Sequence, residues 1–360
     1  MSEFPSDPDA VSPVWLEQHL LDCGVIESEV GIAGLEWESI GTGQVGDSVR
    51  FHLTYSQPGA APATIAAKFP AADERSRATA AMMGLYSKEV QFYRDAAPQL
   101  AVRVPQVFAA QVNAEGDRFV LLFEDLGPAR GGDQIAGCSL EDACAAIKQA
   151  AAIHAPSWHN SNLLDPEWIR PRPEVTEQIA AMYPHAQSVF RERYADTLEP
   201  EFMELCDRLA ATEELFSRRQ EKPQCIVHGD FRLDNLLFDI RGGKEAIAVL
   251  DWQTVTTGKA MTDIGYFLGC GIGDDLRRAH EVELFDLYLA EMAKRGIRMD
   301  RDTAWHEYRV GALHGVSTAV FSAAFVERTP RGDANFLSMA RGACALALEH
   351  DSLAALKETD

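Results

Sequence analysis

The chain has 360 residues, 46% hydrophobic and 24% charged, which is more than a single core usually organises, so two lobes are expected. Its 55 acidic against 33 basic side chains give a formal charge of −22, the wrong sign for a protein that tracks nucleic-acid phosphates. Seven cysteines stand singly, without a C-x-x-C pair or zinc-ligand spacing, and no basic-then-apolar leader or bilayer-length apolar run is visible; the reading is a reduced, cytoplasmic chain away from membranes.

From about Leu35 to Leu126 short alternating runs predominate. Gly41-Thr42-Gly43-Gln44-Val45-Gly46 fits G-x-G-x-x-G, a pattern shared by dinucleotide and kinase loops. The next ten residues decide between them: Val49, Phe51, Leu53 and Tyr55 alternate with Arg50, His52 and Thr54, a half-buried strand where a dinucleotide fold needs a helix. The loop therefore reads as a cover over nucleotide phosphates between two strands, and hydride transfer is set aside. After the Gln57-Pro58-Gly59 turn, a second strand from Ala63 to Phe69 carries Lys68 inside an apolar run. A helix is expected over roughly 77–99, where Met82, Leu85, Tyr86, Phe92 and Tyr93 form an apolar stripe and Glu89 falls inside it. Lys68 and Glu89 are thus each a charge on a buried face, and an ion pair between them resolves both. The strand Arg118 to Phe123 leads into Glu124-Asp125-Leu126, expected to pass the adenine edge with backbone groups, so that side-chain identity matters little there.

Gly127-Pro128 and the glycines at 131 and 132 make a linker composition. Residues 1–126 are read as a sheet-rich lobe with one helix, and 127–360 as a mainly helical lobe. Ser139 and Asp142 give a capping-box signal before an alanine-rich helix through His154. Further helices are expected at roughly 174–195, 200–220, 275–295, 302–326 and 333–357. Between them, Cys225-Ile226-Val227 delivers His228-Gly229-Asp230, then Asn235 and the apolar Leu236-Leu237-Phe238; a second apolar run, Ile247 to Leu250, ends in Asp251-Trp252-Gln253. Phosphoryl transfer needs a carboxylate to orient a hydroxyl and receive its proton, oxygen ligands for magnesium, and positive charge on the phosphates. Asp230 suits the first role, Asn235 and Asp251 the second, and Lys68 the third. Asp263 reads as a support for the catalytic-loop backbone, His228 as a residue of the catalytic loop that orients it, and His154 as a packing histidine. Any one of these polar residues alone reads equally well as an Asx-turn or a strand cap; the spaced set does not.

This ordered set resembles the aminoglycoside phosphotransferase-like kinases. The phrases Phe231-Arg232-Leu233-Asp234-Asn235-Leu236-Leu237-Phe238 and Asp251-Trp252-Gln253-Thr254-Val255 resemble the ecdysteroid-kinase-like branch, and are also similar to kinase domains acting on hydroxyacyl-CoA. The resemblance implies an α+β, protein-kinase-like two-lobed fold and an enzyme using ATP and Mg²⁺. It implies that Asp230 is the base with His228 beside it, that Asn235 and Asp251 hold magnesium, and that Gly41, Gly43, Gly46, Lys68, Glu89, Glu124 and Leu126 surround the nucleotide. The acceptor would be a hydroxyl of a small molecule: an apolar or sterol-like alcohol, a hydroxyacyl-CoA, an amino sugar or an amino alcohol. The loop reads His-Gly-Asp where protein kinases have His-Arg-Asp, Asp-Trp-Gln replaces Asp-Phe-Gly, and no A-P-E signature is present, so no protein substrate is expected. The alternative is a nucleotide-binding pseudokinase without turnover, against which the intact Lys68, Asp230, Asn235 and Asp251 argue.

Overall fold

The computed structural model describes residues 4–41, 46–57, 61–212, 215, 222–326 and 328–358. Helix α1 (Pro13–Asp22) precedes strands β1 (Ile32–Ser39), β2 (Gly46–Tyr55) and β3 (Thr64–Pro70), helices α2 (Glu74–Met82) and α3 (Leu85–Gln91), and strands β4 (Val107–Val112) and β5 (Phe119–Glu124). The five strands form one sheet in the order β1-β2-β3-β5-β4, each pair antiparallel. Strand periodicity sorts its side chains onto two faces. Val49, Phe51, Leu53, Ile65, Ala67, Phe69, Val120 and Leu122 share a core with Leu16 and Leu20 of α1, whereas Phe119, Leu121 and Phe123 pack on the other face with Tyr86 and Val90 of α3. Lys68, between Ala67 and Phe69, is turned to the α3 face.

The helix expected over 77–99 is broken. Gly84 takes φ +70°, a left-handed conformation that a residue with a Cβ rarely adopts, and α3 starts afresh after it. Beyond Gln91 the chain widens into a π-turn at Phe92–Ala96 and then tightens into a 3₁₀ turn at Ala97–Gln99. Strands β1 and β4 carry little apolar alternation, β1 being largely exposed on its outer side, and the sequence pattern does not predict them.

The rest of the chain is mainly helical: strand β6 (Arg130–Gly131), helices α4 (Leu140–Ser157), α5 (Pro173–Tyr194) and α6 (Pro200–Ala210), strands β7 (Cys225–Val227), β8 (Leu236–Asp239), β9 (Glu245–Val249) and β10 (Thr256–Gly258), then α7 (Met261–Tyr266), α8 (Asp274–Lys294), α9 (Arg301–Phe325), α10 (Pro330–Glu349) and α11 (Ser352–Lys357). Ser139 and Asp142 form the reciprocal capping box of α4. Helix α6 ends at Ala210, and most of the remainder of the helix expected to 220 lies outside the described residues. The helix expected over 333–357 divides at Asp351, which takes φ +49°. Among the described residues no helix is long and apolar enough to cross a membrane.

Two short antiparallel pairs, β7 with β10 and β8 with β9, lie in the core that also contains α4, α7 and α8. Helix α7 crosses α9 with almost no space: a Cβ at Gly311 would stand 2.1 Å from the Met261 carbonyl oxygen. Gly311→Ala should force the two helices apart at a cost of about 1–3 kcal/mol, read as a lower urea midpoint with an unchanged slope; an unchanged midpoint would show that the crossing is loose.

Candidate active site

Strand β7 is fully buried and ends in the loop His228-Gly229-Asp230. The loop is held by its backbone. The Asp263 carboxylate, on α7, accepts from the His228 amide at 2.7 Å and the Gly229 amide at 3.0 Å. Asp263 is itself held by His154 Nε2 at 3.2 Å, and His154 Nδ1 meets the Tyr288 hydroxyl at 2.8 Å. His154 is thus packed and satisfied, and it also fixes the residue that fixes the loop. Gly229 adopts φ +82°, with the Thr254 carbonyl oxygen 2.7 Å from where a Cβ would be, so only glycine fits this turn.

His228, grouped with Asp230 on the sequence as catalytic, does not reach the surface. Its Nε2 donates to the Leu250 carbonyl at 2.9 Å and its Nδ1 accepts from the Asp230 amide at 3.3 Å. Both nitrogens are spent on backbone groups, so it orients the loop.

Asp230 is the most heavily engaged carboxylate of the loop. Tyr266 donates its hydroxyl to Oδ1 at 2.7 Å, and Asn235 Nδ2 and Arg232 Nε donate to Oδ2 at 2.9 and 3.1 Å. Burial works to raise its pKa, but the Arg232 charge and the bonds from Tyr266 and Asn235 prevail and hold it down at about 2. It is therefore an ionised hydrogen-bond acceptor at neutral pH. Sequence reasoning misses Arg232 and Tyr266. Arg232 lies inside a motif already noted, whereas Tyr266 hides in the apolar run Ile264 to Leu268 and gives no signal. His314, from α9, donates Nε2 to the Gly229 carbonyl at 2.8 Å and is equally invisible in the sequence.

The second centre is Lys68. Its Nζ lies 2.8 Å from Glu89 Oε2 and 2.9 Å from Asp251 Oδ1. Burial opposes its charge, and the two carboxylates outweigh that and raise its pKa. Glu89, 1% exposed, is pushed up by burial and by the Asp251 charge to about 6, against the pull of Lys68. Asp251 sits at φ +63° just after β9, and Trp252 behind it stacks on Phe92 with ring centroids 3.7 Å apart and planes 8° from parallel. The aromatic pair thereby ties the Asp251 loop to the end of α3, which carries Glu89. Gly46 opens β2 against the lysine: a Cβ there would lie 3.1 Å from Lys68 Cε. Gly41 stands at φ +81° at the other side of the glycine-rich loop, and Gly43 lies outside the described residues.

Asn235 and Asp251 face each other across the β8–β9 hairpin, the Leu250 amide bonding the Asn235 carbonyl at 2.9 Å. With Nδ2 given to Asp230, Asn235 presents Oδ1, and Asp251 keeps Oδ2 with one long contact, 3.3 Å, from Gln253. These two oxygens fit a cation that takes one or two protein carboxylates or carbonyls and completes its shell with water and phosphate.

The expectation for Glu124-Asp125-Leu126 needs correction. Glu124 is 8% exposed; it accepts from Arg103 Nη1 at 2.6 Å and the Gln106 amide at 2.8 Å, and bonds Arg241. Asp125 pairs with Arg50 of β2 at 2.6 Å, and the Leu126 carbonyl accepts from the Arg241 amide at 2.9 Å. Buried carboxylates that clamp three arginines make side-chain identity here a structural requirement.

Removing Lys68 leaves Glu89 buried without its counter-charge. The Lys68→Ala and Glu89→Ala pair should show a coupling of about 1–3 kcal/mol in a double-mutant cycle on chemical unfolding. A raised carboxyl pKa means the folded state holds its proton more tightly, a preference lost as pH rises through that pKa. The deficit of Lys68→Ala should therefore grow as the pH passes the Glu89 value, about 6 in the intact chain; a deficit constant with pH would assign the loss to packing alone.

Residues 48–299 match the model of the ecdysteroid kinase-like family. Solved structures similar to this one include a protein from Ralstonia eutropha assigned as an aminoglycoside phosphotransferase, 21% identical over 92% of this chain and 97% of that one at a TM-score of 0.50. They also include a GDP and kanamycin complex of APH(2″)-IIIa, 14% identical over 95% of this chain and 99% of that one at 0.51. Both share the fold. Acyl-CoA dehydrogenase family member 11 of Mus musculus is 44% identical over 46 residues, and family member 10 is 43% identical over 60 residues. The matches span only 6% and 5% of those proteins' lengths. With the family model covering well over half of its length, and a kinase-like sheet and helical part arranged around the Lys68 and Asp230 centres, the chain belongs to the ecdysteroid kinase-like family.

Proposed function

We propose that this chain transfers the γ-phosphoryl group of ATP to a hydroxyl of a small molecule, in the reducing cytoplasm that its free cysteines suit. The nucleotide would lie between residues 1–126 and 127–360. The observation that carries the reading is the partly buried lysine held between Glu89 and Asp251, in the same structure as a loop whose Asp230 carboxylate is kept ionised.

Each residue has a task in that reading. Glu89 holds the Lys68 ammonium in place, and Lys68 presents it to the phosphates. Magnesium, held by Asn235 and Asp251, would neutralise charge that spreads over the phosphate oxygens. Asp230 accepts the hydrogen bond of the acceptor hydroxyl and aligns its oxygen with the phosphorus. Its pKa near 2 makes it a weak base toward an alcohol, which suits a loose transition state in which the proton leaves late. Tyr266 and Asn235 fix the carboxylate, and Arg232 balances its charge. The GDP bound to the aminoglycoside phosphotransferase noted above supports nucleotide use by this fold, and its kanamycin supports a small-molecule acceptor.

The direct test is ATP consumption against a panel of sterol-like alcohols, hydroxyacyl-CoA, amino sugars and amino alcohols, with mass measurement of the product. A product heavier by one phosphoryl group supports the proposal; nucleotide binding with no turnover on any acceptor would favour a pseudokinase. Asp230→Asn should lower kcat by about 10²–10⁴-fold with nucleotide affinity nearly intact, and comparable turnover would remove Asp230 from the role. In Asp251→Ala, activity and the magnesium dependence of nucleotide binding should be lost together; metal-stimulated binding equal to that of the unaltered protein would exclude Asp251 as a ligand.

A further inference from the structure

On the side of α3 away from Lys68, a cavity of about 440 Å³ opens between that helix and residues 167–172, a size suited to a small ligand. Three cations line it, the half-buried Lys88 from α3 and the exposed Arg170 and Arg172 from the segment before α5, against the single carboxylate of Glu167. In a molecule of net charge −22, Arg50, Arg103, Arg232 and Arg277 are all paired with carboxylates, whereas among the described residues Lys88, Arg170 and Arg172 form no ion pair. Lys88 is half-buried, and burial together with the Arg172 charge holds its amino group below the ordinary lysine range, the condition of a cation placed near like charge without an anion. Trp168 supplies a flat apolar wall and Ser87 a hydroxyl.

We propose that this cavity binds a free phosphorylated small molecule, its phosphate between Lys88, Arg170 and Arg172 and its organic part against Trp168. Arginine forks and a lysine are the groups that recognise phosphate. The position gives the site a consequence. Lys88 adjoins Glu89, and the Ile169 carbonyl accepts from the Thr256 hydroxyl at 3.0 Å, just past the loop that carries Asp251. An anion bridging α3 to the 167–172 segment therefore favours the arrangement in which Lys68 lies between Glu89 and Asp251, coupling the cavity to the phosphate-holding centre. Binding at the cavity itself does not depend on the phosphotransfer reading.

Isothermal titration of the whole chain without nucleotide, using inorganic phosphate and phenyl phosphate as probes, tests this. Lys68→Ala serves as the background that removes the other phosphate-binding cation. Phenyl phosphate should bind that background more tightly than inorganic phosphate does, and Arg170→Ala with Arg172→Ala should weaken it by about tenfold or more. Lys88→Gln should weaken it independently, which covers any failure of the arginine variant to fold. Affinity unchanged in both cavity variants, no binding to the unaltered chain, or binding abolished by Lys68→Ala alone would each overturn the proposal.

Discussion

A lysine on an inner strand face governs much of this structure. An ammonium on that face is unfavourable unless carboxylates meet it, and two do, from distant parts of the sequence: Glu89 from α3 and Asp251 from the loop after β9. Satisfying Lys68 thus fixes α3 over the sheet, draws the Asp251 loop against it, and places the Trp252–Phe92 stack behind both. The glycine at the start of β2 answers the same requirement, since a side chain at position 46 would press on the lysine stem. The charges that a phosphate-handling centre needs are those that join the sheet to the helical part.

The loop at His228-Gly229-Asp230 is held by a different principle. Its amides are bonded by Asp263, and Asp263 by His154 and, through it, Tyr288. Asp263, His154 and Tyr288 are fully buried, and in a low-dielectric interior a fully satisfied polar network is rigid. Asp230 therefore projects from a fixed backbone, and Tyr266 on α7 and Arg232 set the state of its carboxylate. Strength here comes from helices packed so closely that Gly311 meets the Met261 carbonyl; the geometry of the loop is inherited from the packing of α7 on α9.

Much of this is legible in the sequence because it rests on local patterns. Lys68 and Glu89 are conspicuous as charges interrupting apolar periodicity, Asp230 and Asp251 come after short apolar runs, and Asn235 stands just before the next one. Asp263 is readable as a backbone support by its place after the second loop. What escapes depends on distant chain segments meeting. Tyr266 and His314 are ordinary members of helical stripes until the fold brings them to the His228–Asp230 loop, and Glu124 looks interchangeable until Arg103 and Arg241, the latter 117 residues away, close on it. The break at Gly84 escapes for another reason: the apolar stripe continues across it, so periodicity alone reads one helix where the backbone makes two.

The account stands on Lys68 being the group that receives nucleotide phosphates when they displace Asp251 from it. ¹⁵N-lysine NMR of the side-chain Nζ signal, assigned with Lys68→Arg, measures this directly. The account predicts that the Lys68 signal shifts on addition of ATP with Mg²⁺ and keeps the signature of a protonated amine. A signal that stays unmoved at saturating nucleotide would contradict it and place the phosphates elsewhere.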